Sequence, residues 1–240
     1  MIRFTNVTKT YANSSEPAVA GLSLTVNPGE IYGFLGPNGA GKTTTIKMIV
    51  GLLRPDSGTI TVNGIDVRED ALSAKRQIGY VPDTPALWDK LTGLEYLGFV
   101  GDVFAIPAAT RRQRIEQLSA AFDIKGALHE QLGAYSHGMQ QKILLLGALL
   151  HQPPVWILDE PLVGLDPHTA HVLKELMADH CRKGNTVFFS THILDVAERL
   201  CHRVGIIRKG RLIAEGSLAE LRAKQGEGTL EKIFLELTEA

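Results

Sequence analysis

Cysteine is nearly missing from these 240 residues: only Cys181 and Cys201 occur. Two cysteines so far apart make neither a disulfide framework nor a four-ligand zinc site. Each flanks an apolar segment, so core thiols are expected. An excess of one charge is lacking as well, since 25 Lys and Arg face 26 Asp and Glu, a formal net charge of −1. The totals therefore carry no basic nucleic-acid footprint, although a local patch stays open. Long apolar runs are absent too. The longest, Ile143–Leu150, has eight residues, against the roughly 20 that span a bilayer. The stretch Met1–Tyr11 holds no signal-peptide core, and no long-period repeat or low-complexity tract recurs. These absences predict a soluble, cytoplasmic chain that does not cross a membrane.

What is present is a globular composition with 44% hydrophobic residues. A chain this long buries roughly 70–75% of its unfolded surface, enough for one large α/β domain or a core with a smaller lobe. Short apolar runs alternate with helical periods, which predicts a parallel or mixed α/β core. Leu22, Leu24 and Val26 alternate as in a strand, and Ile31–Leu35 is a short apolar strand leading into a glycine-rich loop. Ile46, Ile49, Val50 and Leu53 then repeat at helical spacing, and the turn residues Arg54–Gly58 are expected to end that helix. Thr59–Val62, Ile78–Val81, Val155–Leu158, Thr186–Ser190 and Val204–Arg208 are further strand candidates. Between the last three lie helical patterns, with Leu173, Leu176, Met177 and His180, and with Ile193, Val196, Ala197 and Leu200. From about Thr84 to Leu150 no strand is evident, and Ile115, Leu118 and Phe122 keep helical spacing. That stretch is expected to form an inserted helical lobe. Leu230, Ile233, Phe234 and Leu237 predict one more amphipathic helix.

The chemistry begins at Gly36–Thr43, which satisfies G-x-x-x-x-G-K-[ST] between a strand and a helix. Glycines there let successive backbone N–H groups curl around a phosphate, and the following helix adds its positive dipole end. Lys42 can reach the β- and γ-phosphates, and the Thr43 hydroxyl can ligate Mg²⁺. This is a nucleoside triphosphate site. Val155–Glu160 is an apolar strand ending in two carboxylates. A buried strand delivers Asp159 to the sheet edge where the phosphate loop lies, placed to hold Mg²⁺, while Glu160 can orient and deprotonate a water. Ser136 is a natural N-cap for the helix that follows, and Gly138 lets an anion approach its exposed N–H groups. His192 follows a strand of the same sheet and could meet a γ-phosphate or the attacking water. The other seven histidines show no ligand spacing.

In this order the elements resemble the ATP-binding cassette (ABC) ATPases over nearly the whole chain. Gly36–Thr44 is similar to Walker A, with Gly36, Asn38, Gly39, Ala40, Gly41, Lys42, Thr43 and Thr44 around the phosphates. Tyr135–Gln141 resembles the signature sequence, Val155–Glu160 Walker B, Gly164–Pro167 the D-loop, and His192 the switch histidine. Tyr11 falls where the family places an aromatic that stacks on adenine. The 117 residues from Lys42 to Asp159 leave room for a helical subdomain but not a long coiled coil. The resemblance implies a P-loop NTPase core, α/β, with a mixed, largely parallel sheet, flanking helices and an N-terminal antiparallel β region. On that reading the nucleotide-binding core covers about 1–83 and 151–216, the helical subdomain about 84–150, and a helical tail about 217–240.

The resemblance further implies an ATPase using ATP and Mg²⁺, with Glu160, His192 and Lys42 catalytic and Thr43, Asp83 and Asp159 at the metal. Two cassettes, identical or not, would pair head-to-tail, so that Ser136, Gly138, Gln140 and Asp166 of one close the ATP of the other. Closure would drive a separate transmembrane permease at the cytoplasmic face of the cell membrane. The signature form around Met139 and the ending Leu230–Leu237 resemble cassettes of ABC-2-type exporters. Two positions depart from the family pattern. Asp83 stands where Gln is usual; it can still ligate a metal but cannot donate a hydrogen bond, so contact with Mg²⁺ would persist with altered coupling. His137 stands where Gly or a basic residue is common, and near a phosphate it would confer a pH response near 6–7. The rival readings are a soluble ABC ATPase acting on nucleic acid or the ribosome, which the charge of −1 disfavours, and a slow ATP switch, which Glu160 and His192 disfavour.

Overall fold

A computed structural model describes residues 1–225 and 228–239. Residues 226, 227 and 240 of the expected tail lie outside the described residues. Among the described residues, no helix is long and apolar enough to cross a membrane.

The apolar runs become the strands of a six-stranded sheet: β3 (Ile31–Leu35), β6 (Ile78–Val81), β7 (Val155–Asp159), β8 (Thr186–Thr191), β9 (Arg203–Arg208) and β10 (Arg211–Gly216). Their order is β10-β9-β3-β8-β7-β6, parallel throughout except for β10, which runs antiparallel to β9. The fold is thus α/β with a largely parallel mixed sheet. An N-terminal antiparallel sheet of order β2-β1-β4-β5 covers one face, built from β1 (Ile2–Lys9), β2 (Val19–Val26), β4 (Ser57–Val62) and β5 (Ile65–Asp66).

Side chains alternate across a strand, so β8 feeds two layers. Phe188 packs with Tyr32, Phe34 and the antiparallel sheet, while Val187 and Phe189 face the opposite side with Leu158 and Trp156. That second layer is roofed by α5 (His137–Leu150) and α6 (Pro167–Arg182). It also takes in residues of α3 (Gly93–Val103) and α4 (Ala108–Ala121), such as Leu97 and Ile115. A third cluster joins Leu35 and Ile206 to α7 (Leu194–Leu200), α8 (Leu218–Gln225) and α9 (Leu230–Glu239). Both thiols are free, and burial raises their pKa, to about 11 for Cys181.

Two helix boundaries differ from the sequence expectation. The helix α1 (Lys42–Ile49) stops before Leu53, because the N–H groups of Leu52 and Leu53 both turn back to the Lys47 carbonyl in the manner of a C-terminal cap. Ile193 is not within α7 but is its N-cap. A side-chain staple crosses the layers: Arg203 of β9 donates to Thr25 O at 3.1 Å, Glu30 Oε1 at 3.1 Å and Glu215 Oε1 at 2.7 Å.

The parallel register sets the site. Leu35 pairs with Thr191, Asp159 with Ser190, and Leu158 with Val81. Four strands therefore end along one edge of the sheet, where ligands of open α/β sheets bind.

Candidate functional site

The loop leaving β3 enters α1 through Gly41, which is the helix N-cap at φ 109° and carries no side-chain cap. The first N–H groups of α1 consequently have no protein acceptor supplied by a capping side chain, the arrangement that receives an anion. A Cβ at Gly41 would lie 2.4 Å from Ala18 O, so the backbone passes through a gap that only glycine fits. Lys42 folds back over the loop and is buried. Its Nζ donates to Gly36 O at 2.7 Å and Pro37 O at 3.4 Å, and lies 3.7 Å from Glu160 Oε1.

A cleft at the sheet edge is lined by Pro37, Asn38, Gly39, Gly41, Lys42, Thr43, Thr44, Asp83, Asp159 and Glu160. Asp159 is 1% exposed. Its Oδ1 accepts from Ser190 Oγ at 2.5 Å, and its Oδ2 has no hydrogen-bond partner. Burial raises its pKa, the hydrogen bond from Ser190 opposes the rise, and the charges of Asp83 and Glu160 add to it. Burial likewise raises Tyr80 to about 12, with Asp159 and Asp83 contributing. An unpaired, desolvated carboxylate oxygen amid further carboxylates is costly unless a cation joins it. The hard oxygen donors of Asp159, Thr43 and Asp83 fit Mg²⁺.

Glu160 stands at φ 48°, a left-handed conformation uncommon for a residue with a Cβ. Its N–H donates to Ser190 Oγ at 3.0 Å. Its Oε2 lies 3.0 Å from His192 Nδ1 and accepts the His192 N–H at 3.4 Å. The carboxylate is thus held between a lysine and a histidine, in a largely buried position, beside Asp159. Tyr11 is 43% exposed and its hydroxyl is 3.2 Å from Thr44 Oγ1, which leaves much of the ring open at the loop's flank.

Ser136, Gly138, Gln140 and Asp166 do not line this cleft. Ser136 caps α5, accepting Met139 N–H at 3.3 Å. A Cβ at Gly138 would lie 3.1 Å from Gly164 O, and one at Gly164 would lie 2.6 Å from His137 Cδ2. The signature segment and the segment before α6 therefore pack together on a separate surface, with His137 exposed at their contact. Asp166 caps α6 through Thr169 and pairs with Lys142 at 3.1 Å. Hydrogen bonds from Thr169 and Lys142 hold its pKa far below the carboxylate norm.

Ser190 is the site residue that sequence reasoning missed. The available signal was a hydroxyl at the end of the otherwise apolar Val187–Phe189 run. That signal gains meaning only once Asp159 is known to be its register partner.

Comparison with known proteins agrees with this geometry. A profile described as ABC transporter matches residues 19–163. The chain is 38% identical over 224 residues to the ABC-type transporter ATP-binding protein EcsA of Bacillus subtilis, covering 92% of this chain and 91% of EcsA. It is 40% identical over 216 residues to the Nod factor export ATP-binding protein I of Burkholderia lata, covering 90% of this chain and 70% of that protein. A Nostoc ABC transporter ATP-binding protein of uncharacterised role is 38% identical over 217 residues, 90% of this chain, and the chain spans 64% of its length. Among solved structures, the ATP-binding subunit of an ABC transporter superposes with a TM-score of 0.94 at 34% identity over 99% of both chains. A dimeric ATP-binding cassette in a post-hydrolysis state, bound to ADP and Pi, gives 0.82 at 27% identity over 91% of this chain and 99% of that one.

Proposed function

This chain belongs to the ABC transporter family as an ATP-binding, ATP-hydrolysing subunit, and we propose that it powers export through a separate membrane permease as one of two paired cassettes. The observation that carries the site's chemistry is the Glu160 carboxylate gripped by Lys42 and His192 beside an unpaired Asp159 Oδ2.

The free N–H groups at the start of α1 bind the β- and γ-phosphates, and Lys42 exchanges the Gly36 and Pro37 carbonyls for phosphate oxygens. Tyr11 stacks on the adenine. Asp159 Oδ2, the Thr43 hydroxyl and Asp83 would hold Mg²⁺, which when bound would neutralise charge developing on the phosphates. Glu160 accepts a proton from the attacking water. His192, bonded to the same carboxylate, keeps it turned toward the γ-phosphate position.

Ser136, Gly138, Gln140 and Asp166 lie on a surface of their own, which supports their use by a second cassette whose ATP they close. The dimeric post-hydrolysis cassette is the structural precedent for that pairing. The Nod factor export relative supports the exporter assignment. An apolar groove lined by Leu52, Tyr80, Tyr96, Val100 and Phe104 supports docking of a permease, which would hold the chain at the cytoplasmic membrane face. On this reading the helical segment around 84–150 is the lobe that meets the permease, and 1–83 with 151–216 the nucleotide-binding core.

Sedimentation velocity tests the pairing. Glu160→Gln with ATP is expected to sediment as a dimer and without ATP as a monomer, and Ser136→Arg is expected to abolish the shift. A sedimentation rate indifferent to ATP in Glu160→Gln contradicts the proposal.

A further inference from the structure

Ser190 uses one hydroxyl twice. The side chain is wholly buried at the end of β8, donates to Asp159 Oδ1 at 2.5 Å and accepts the Glu160 N–H at 3.0 Å. Both partners straddle a single peptide link at the end of β7, and Asp159 is Ser190's neighbour in the parallel ladder. The residue beyond that link is Glu160, at φ 48°. Such a conformation costs a residue with a Cβ on the order of 1–3 kcal/mol and persists only where its surroundings fix it. The Glu160 N–H is held there by the Ser190 hydroxyl. That left-handed residue carries the carboxylate that lies 3.7 Å from Lys42 Nζ and 3.0 Å from His192 Nδ1.

We infer that Ser190 is the positioning residue of the hydrolysis site, its hydroxyl locking the Asp159–Glu160 link so that the two carboxylates keep separate tasks. The donated bond occupies Asp159 Oδ1 and leaves Oδ2 for the cleft. The accepted bond fixes the Glu160 backbone, and through it the place of the water-facing carboxylate. Ser190 does not line the nucleotide cleft. Its loss therefore acts on turnover and spares nucleotide binding. This role rests on the ATPase reading above.

Ser190→Ala tests it, measured by steady-state ATP hydrolysis, by the Kd of a fluorescent ATP analogue and by thermal unfolding. A misplacement of the reacting group by about 1 Å costs about 100-fold in rate. The expected result is a kcat lower by about 30- to 100-fold with Kd within about 3-fold of wild type. Ser190→Thr, which keeps the hydroxyl, is expected to recover most of the rate. Should Ser190→Ala lose its native circular dichroism, Ser190→Cys keeps a weak donor and acceptor in a similar volume and is expected to show the same split. The inference is overturned by a folded Ser190→Ala with wild-type kcat, by Kd and kcat deteriorating together, or by Ser190→Thr no better than Ser190→Ala. A wild type that hydrolyses no ATP overturns the ATPase reading along with it; an active wild type beside an equally active Ser190→Ala overturns this inference alone.

Discussion

Gly41→Ala and Gly39→Ala make a matched pair of perturbations in the phosphate loop. Both glycines have positive φ, 109° and 77°, so a Cβ at either position costs about 1–2 kcal/mol of backbone strain. Their surroundings differ. A Cβ on Gly39 meets nothing within 4 Å, whereas one on Gly41 meets the backbone oxygen of Ala18 at 2.4 Å, with Ile207 Cδ1 at 3.4 Å behind it. A backbone oxygen cannot swing aside as a side chain can. Relieving the contact shifts the segment before β2 or the start of α1, at about 1–3 kcal/mol more. Gly41→Ala should thus lose about 2–5 kcal/mol in total. At about 2–4 °C per kcal/mol for a chain this size, its Tm should fall by at least about 4 °C and up to about 20 °C. Gly39→Ala should fall by only a few degrees. Because Gly41 caps α1, the shift also turns N–H groups off the phosphate, each worth about 1.5–3 kcal/mol with a charged acceptor. ATP should then bind roughly 10- to 100-fold more weakly to Gly41→Ala than to Gly39→Ala. Differential scanning calorimetry and ATP titration read both effects. Equal Tm and equal affinity for the two variants would refute the close-approach argument.

Asp159→Asn should abolish Mg²⁺-dependent turnover while raising Tm of the ligand-free chain by about 2–4 °C, since burial already disfavours the charged form; a lower Tm contradicts the electrostatic reading. Arg203→Met should cost about 2–4 kcal/mol in urea unfolding, because it strands the buried Glu30 and the Glu215 partner; a loss below about 0.5 kcal/mol would show the staple to be idle. Burial lowers the pKa of His151 and His180 to about 4. The unfolded chain, whose histidines titrate near 6.5, binds more protons below that value, so stability falls as pH drops from about 6.5 to about 4. The pair should contribute on the order of 2–3 kcal/mol after allowance for partial exposure. His151→Phe with His180→Phe should flatten that part of the Tm-versus-pH curve, and an unchanged slope contradicts the assignment.

Local patterns carried much of the fold. The apolar runs of β3, β7, β8 and β9 are buried on both faces, so they appear as unbroken hydrophobic stretches in the sequence. The phosphate loop is legible for a different reason, since its geometry demands glycines at fixed offsets. Ser136 is legible as a cap because capping chemistry is local. What escapes is whatever depends on strand neighbours. That β8 lies between β3 and β7 brings Ser190 against Asp159 and His192 against Glu160, and no spacing within one segment encodes it. Arg203 is opaque for the same cause, since its partners come from Thr25, Glu30 and Glu215. The early end of α1 was hidden because Val50 and Leu53 continue the helical period while the backbone has already turned.

The central claim is that Glu160 activates water for ATP hydrolysis. Steady-state phosphate release from wild type and Glu160→Gln, with ATP and Mg²⁺ saturating, measures it directly. The Gln side chain keeps the size of Glu and contacts to Lys42 and His192 but is no base, so kcat should fall by about 10²- to 10⁴-fold while ATP affinity stays within a few-fold. A Glu160→Gln variant that releases phosphate at the wild-type rate contradicts the account.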